Sequence, residues 1–118
     1  MAYRSGDIAI APFTHTDLTE GKNRPLLHLA PLPAYNGDWL GCMITSQLHQ
    51  FTEGIDVVIS ESDADFKATF LKTSSLVRVT RIMVIAEDQM TGSIGGVSKE
   101  RYEQVISNLV RWLSQQRA

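Results

Sequence analysis

The chain has little sulfur chemistry to offer. Its single cysteine, Cys42, has no second cysteine to pair with. That excludes an internal disulfide and suits a reducing compartment. One cysteine and three scattered histidines, His15, His28 and His49, make no zinc pattern. A phosphate-cradling glycine loop of the P-loop type is also missing. There is no excess of positive charge: the formal net charge is -2. This argues against a protein coated in basic surface for non-specific nucleic-acid binding. A local basic groove remains open, because Lys22, Arg24, Lys72, Arg78 and Arg81 are free to converge in space. No apolar run approaches the length of a membrane span, and Met1 to Asp7 lacks the apolar core of a signal peptide. The expectation is a cytoplasmic protein with no membrane partner.

What is present reads as one ordinary domain, residues 1–118, long enough to bury a core without staples. Ile8, Ile10 and Pro12 alternate with Ala9 and Ala11, which predicts a first strand. Thr14 to Asn23 is polar and reads as a long loop. Pro25 to Leu32 predicts a second strand with a proline at its start, a position that tolerates the lost donor. Pro31, Pro33 and Asn36-Gly37 mark a turn. Trp39 to Thr45 predicts a buried third strand, and Gln47 to Gly54 a polar connection with room for one helical turn. Ile55 to Ile59 is a short strand, Ser60 to Asp65 an acidic loop, and Leu76 to Ile85 the longest strand signal. Beyond Gly92, Gly95 and Gly96 the pattern changes. Ser98 suits an N-cap and Glu100 the first turn. Tyr102, Val105, Ile106, Leu109, Trp112 and Leu113 then recur at helical spacing. The predicted fold is mainly β with a C-terminal helix, as a compact barrel or an α+β sandwich.

Few residues bear chemistry, and each has a plain reading beside the functional one. Cys42 lies inside an apolar strand, where cysteine is usually an inert core residue. His28, among leucines, reads as structural. His15 and His49 lie in polar connections where proton transfer is conceivable but simple solvation is commoner. Arg24 stands at a loop-to-strand junction backed by Pro25; it suits phosphate, or it is a surface arginine paired with Asp17 or Glu20. Thr45 and Ser46 end a strand, where their hydroxyls suit phosphate oxygens or turn chemistry. Arg78 and Thr80 are expected on one face of the long strand and Arg81 on the other. Glu61, Asp63 and Asp65 form a carboxylate cluster that reads as a solvated loop rather than a cation site. Trp39 and Trp112 read as packing residues.

Taken in order, several of these segments resemble the PemK/MazF family of toxin endoribonucleases, in its PemK-like (Kid) branch. They are the Gly6-Asp7 strand opening, Phe13 with Thr16-Asp17, the Arg24-Pro25 step, and Ile44-Thr45-Ser46-Gln47. Leu71-Lys72, Ser75-Leu76-Val77-Arg78 and the closing helix complete the likeness, which covers nearly the whole chain. It implies an SH3-like small barrel, commonly a homodimer with substrate grooves at the interface. It further implies cleavage of single-stranded RNA with no metal and no other cofactor, and an antitoxin whose flexible tail fills the same groove. By this resemblance Arg24 and Thr45 are the catalytic candidates. Ser46 and Arg78 are substrate-binding candidates; Lys22 and His15 join them only by their place in the polar loop, since His15 is not at the position where some members carry a histidine. The sequence departs from the pattern in places. The Gly-Ser-Glu-Gln loop of the MazF branch is absent, Ala68-Thr69 replaces an Ala-Gly step, and Thr80 stands where Kid-type toxins carry an acid. Two other readings follow from that last departure and from the shared fold: a barrel that binds RNA or a peptide without cutting, and a gyrase poison.

Overall fold

The computed structural model describes residues 3–13, 22–34, 37–90 and 92–117, with the side chains of Phe13 and Lys22 left aside. Within them six strands form one antiparallel sheet: β1 (Asp7–Phe13), β2 (Lys22–Pro31), β3 (Asp38–Thr45), β4 (Val57–Ile59), β5 (Ser75–Ala86) and β6 (Ser93–Gly96). Their order across the sheet is β4-β5-β3-β2-β1-β6. A short helix, α1 (Phe66–Thr69), precedes β5, and a long one, α2 (Lys99–Ser114), closes the chain. The sheet curls into a half-barrel, so the expected mainly-β fold with a C-terminal helix is the one observed.

Period-2 alternation sorts the side chains of β1 to β3 onto two buried faces. Ile8, Leu27, Leu29, Cys42 and Ile44 face one way. Helix α2 covers that face with Val105 and Leu109. Ala9, Ala11, Leu26, Met43 and Trp39 face the other way, onto Ile85 and Met90. Cys42 is fully buried, and burial pushes its thiol pKa well up, which makes it an inert core residue.

Helix α2 begins where its sequence signals lie. The Ser98 hydroxyl accepts from Arg101 N at 3.2 Å, capping an otherwise unpaired donor. Its stripe packs on the sheet, and the Tyr102 hydroxyl donates to Leu29 O at 2.8 Å.

Several elements differ from expectation; α1 was not expected, and β4 begins at Val57 rather than Ile55. Strand β2 begins at Lys22 rather than Pro25, because Lys22 and Asn23 pair with Phe13 and Pro12. The rest of the expected loop, 14–21, is outside the described residues. Strand β6 lies in a Gly-Gly stretch that looks like a turn; pairing of Asp7 and Ile8 with Gly96 and Gly95 makes it a strand. Gly95 is needed there, since a Cβ would collide with the backbone of Ala68 and Thr69 in α1. Strand β5 does not alternate evenly. Cys42 faces Ile82 while Met43 faces Arg78, so Val79 to Arg81 bulge out opposite no β3 residue. The Val79 N–H freed there donates to Asp56 Oδ1 at 3.1 Å.

Candidate functional site

The sheet splits at one end, and the split makes the site. Strand β3 pairs with β2 only from Leu26 onward. Pro25 has no N–H with which to extend that ladder. Beyond it, Arg24 stays paired to Ala11 of β1, while Ile44 and Thr45 stay paired to Val77 and Leu76 of β5. Arg24 and Thr45 therefore stand on the two lips of the split. Counting alternation from Leu26 and Met43 puts both on the same face of the sheet. Arg78, opposite Met43, shares that face one row away.

A pocket of about 390 Å³ opens at this end. Its floor is apolar: Ile10, Pro25, Ile44 and Ile94. The wall includes Arg24 and Thr45, with Asn23 and Ser46 beside them. The segment after α1 supplies the remaining rim, Phe70 to Thr73, with Ser75. Two of these residues are cations, Arg24 and Lys72, and none is a carboxylate. Among the described residues neither cation forms an ion pair. On a chain of net charge -2 this is a locally positive recess. Guanidinium and hydroxyl donors around an apolar floor suit an anion attached to an organic group.

Thr45 is nearly buried, and its Oγ1 accepts from Gln47 N at 3.1 Å. This is turn chemistry, yet it also orients the hydroxyl: with the lone pair engaged, the O–H remains to donate. Ser46 is exposed beside it. The far rim is braced from outside the pocket. The Thr73 hydroxyl donates to Glu61 Oε2 at 2.9 Å, and Glu61 N donates to Ser74 Oγ at 2.9 Å.

The other expected site residues fall elsewhere. Arg78 does not line the pocket. Its Nε lies 3.4 Å from Asp56 Oδ2, and its Nη1 donates to Gln50 Oε1 at 2.5 Å. Asp56 is thus the carboxylate at Arg78, where the resemblance places an acid at Thr80. The only hint of Asp56 in the sequence is an acid at the entry of an apolar strand. His15 lies outside the described residues, and so does the Lys22 side chain. Lys72, named as a candidate for a basic groove, lines the pocket with Arg24, and Asn23 and Phe70 line it without having been singled out. Nothing marks an isolated asparagine or phenylalanine before the chain is folded.

His28 is structural on one side only. It is fully buried, and its Nδ1 lies 3.0 Å from Asp7 O. Its Nε2 has no partner among the described residues. Burial lowers its pKa, outweighing the opposing hydrogen bond to Asp7. The neutral ring stacks on Tyr3 at 4.5 Å between centroids and meets Trp39 edge-on at 4.9 Å.

The acidic cluster is not a solvated loop. Arg101 Nε and Nη2 donate to Asp65 at 2.9 and 2.8 Å, and Nη2 also donates to Asp63 at 2.8 Å. Nη1 donates to Val58 O at 2.7 Å. The hydrogen bond from Arg101 holds the Asp65 pKa down to about 2. The described residues contain no cluster able to hold a metal ion, and none of their helices is long and apolar enough to cross a membrane.

Comparison with known proteins agrees with this architecture. The chain is similar to a mycobacterial endoribonuclease solved in complex with its cognate antitoxin: TM-score 0.71, 15% identity, covering 99% of this chain and 100% of that one. It is similar to the Mycobacterium tuberculosis toxin MazF-mt6, at TM-score 0.68 and 16% identity over 92% and 96% of the two chains. MazF in the MazE-MazF structure from Deinococcus radiodurans gives TM-score 0.69 and 18% identity over 93% and 94%. No curated protein matches the sequence. A family model described as PemK-like, MazF-like toxin of type II toxin-antitoxin system matches residues 4–113. That span holds both lips of the split, the pocket and nearly all of α2, and on it the chain belongs to the PemK-like, MazF-like toxins of type II toxin-antitoxin systems.

Proposed function

We propose that the chain is an endoribonuclease that cuts single-stranded RNA at the split in the sheet. One observation carries this reading: Arg24 and Thr45 stand on facing lips of a pocket whose described lining holds two cations and no carboxylate. The RNA supplies its own nucleophile. The 2′-oxygen attacks the adjacent phosphorus, its proton passes to a base, and the P–O bond to the next nucleotide breaks. The departing 5′-oxygen takes a proton, leaving a 2′,3′-cyclic phosphate and a 5′-hydroxyl end. An internal hydroxyl nucleophile needs no metal-bound water. The negative charge that builds on the phosphoryl oxygens is what the site must stabilise. Arg24 supplies the opposing positive charge, and the Thr45 O–H supplies a neutral donor to a phosphoryl oxygen. An arginine rarely gives up its proton, so Arg24 acts as an electrostatic group rather than as the acid.

Ser46 and Lys72 are placed to hold the flanking backbone. The antitoxin and homodimer readings also belong here. Two of the similar structures are complexes with an antitoxin, and a positive pocket suits an acidic tail. Half of β5 exposes Ile82 and Val84, the kind of apolar surface a second copy covers.

The test is cleavage of a single-stranded RNA by purified protein in EDTA, with the product ends identified. Cyclic-phosphate ends are expected, and Arg24→Ala should abolish most cutting. Unchanged cutting by that variant would remove Arg24 from the mechanism. RNA binding with no product would favour the non-cutting barrel, which Thr80 in place of an acid supports.

A further inference from the structure

Phe70 sits where an aromatic side chain has two reasons not to be. It ends α1 with a φ of +57°, in the left-handed region that glycine fills at no steric cost. The residue is also 70% exposed, more than any other large apolar residue described. Hydrophobic burial therefore does little to offset the backbone strain. The neighbours hold the residue in place all the same. Phe70 N donates to Lys67 O at 3.2 Å. The fully buried Thr69 donates its hydroxyl to Phe66 O at 2.6 Å and accepts from Leu71 N at 3.2 Å. Gly95 closes against the backbone of Ala68 and Thr69 from the other side. Strain that the surroundings impose on a solvent-facing residue points to a ligand site.

The ring stands on the rim of the same pocket as Arg24 and Lys72. A flat apolar face beside cations matches the two chemistries of a single-stranded nucleotide, an unstacked base and a phosphate. An acidic peptide tail would satisfy the cations and leave the ring without a planar counterpart. We infer that Phe70 is a stacking platform for one nucleobase of the single strand whose backbone is held at Arg24 and Lys72. This rests on the RNA-cutting function proposed above. Because stacking is tolerant of base identity, Phe70 contributes grip rather than sequence choice.

The probe is a labelled single-stranded RNA with 2′-fluoro sugars, which lacks the attacking hydroxyl, followed by fluorescence anisotropy. Phe70→Gly is expected to weaken binding about tenfold, while its Tm rises because glycine adopts this φ freely. Phe70→Leu, apolar but not planar, should lose nearly as much affinity, and Phe70→Trp should bind like the wild type. In cleavage of ordinary RNA the loss should fall on KM and spare kcat, since the ring touches no reacting atom. Wild-type binding by Phe70→Leu or Phe70→Gly overturns the inference. A change in molecular mass of Phe70→Gly by light scattering also overturns it, and makes the ring a subunit contact. If the wild type neither binds nor cuts RNA, the proposed function itself has failed. If it does both and the Phe70 variants match it, only the stacking role falls.

Discussion

Arg101 and Arg24 sit at opposite extremes of what a guanidinium can do in one small fold. Arg101 is saturated: two carboxylates and the Val58 carbonyl take its donors. Its side chain is only 14% exposed. It ties the first turn of α2 to the loop before α1. Arg24 has no carboxylate partner among the described residues and lines a pocket with no acid among its described residues. Arg78 falls between them, with one carboxylate, Asp56, and an amide. The difference teaches where charge is spent. A guanidinium neutralised inside the fold is a staple, whereas one facing a pocket without counter-charge keeps its field for an incoming anion.

The comparison breaks first, if it is wrong, on substitution of the two arginines. We predict that Arg24→Ala lowers RNA cleavage by about 100-fold or more and leaves the urea midpoint where it was. Arg101→Ala should do the reverse. It strands Asp65, which is 12% exposed, and should cost about 3 kcal/mol of stability. The molecules that remain folded should cut at the wild-type rate. A stability loss in the first variant, or an activity loss per folded molecule in the second, would erase the distinction.

Acid titration sharpens the Arg101 side. Asp65 has a folded pKa of about 2, below its ordinary 3.8. The folded state thus binds this proton less readily than the unfolded state. The contribution is fully present above about pH 4 and disappears as the pH falls toward about 2, a change of about 2 kcal/mol. Asp65→Asn should flatten the stability profile over that window. Parallel profiles for variant and wild type would mean that the clamp does not act through this carboxylate.

The smallest expected effect sharpens the Arg24 side. Thr45→Val keeps the shape but removes the hydroxyl, and one hydrogen bond to a charged oxygen corresponds to a loss of cleavage of at least about tenfold. Thr45→Ser should recover most of the rate. If valine cuts as fast as threonine, the hydroxyl serves the turn alone.

Elements written in local signals were legible before folding. The Ser98 cap and the stripe from Tyr102 to Trp112 announce α2, since each is read within a few turns of chain. Buried alternation announces β1 and β3 for the same reason. Strand β6 and Asp56 were not legible. Gly95 and Gly96 look like a turn until Asp7 pairs with them. Asp56 looks incidental until the β5 bulge leaves Val79 N without a ladder partner. The acid loop misled because its counter-charge, Arg101, stands 36 residues after Asp65. The site was legible in part. Arg24-Pro25 and Thr45-Ser46 could be named through family likeness and Lys72 through its charge, whereas Phe70 carries no mark of its own.

By itself the sequence determined a mainly-β fold with a C-terminal helix, and it supplied the pattern by which the family is known. Those properties depend on short-range periodicity and on the order of segments. Only the tertiary structure decided which charges are neutralised and which remain. That choice depends on distances between residues far apart in the chain. Pro25 stops the β2–β3 ladder, the sheet opens, and Arg24 is left facing a pocket with no acid among its described residues.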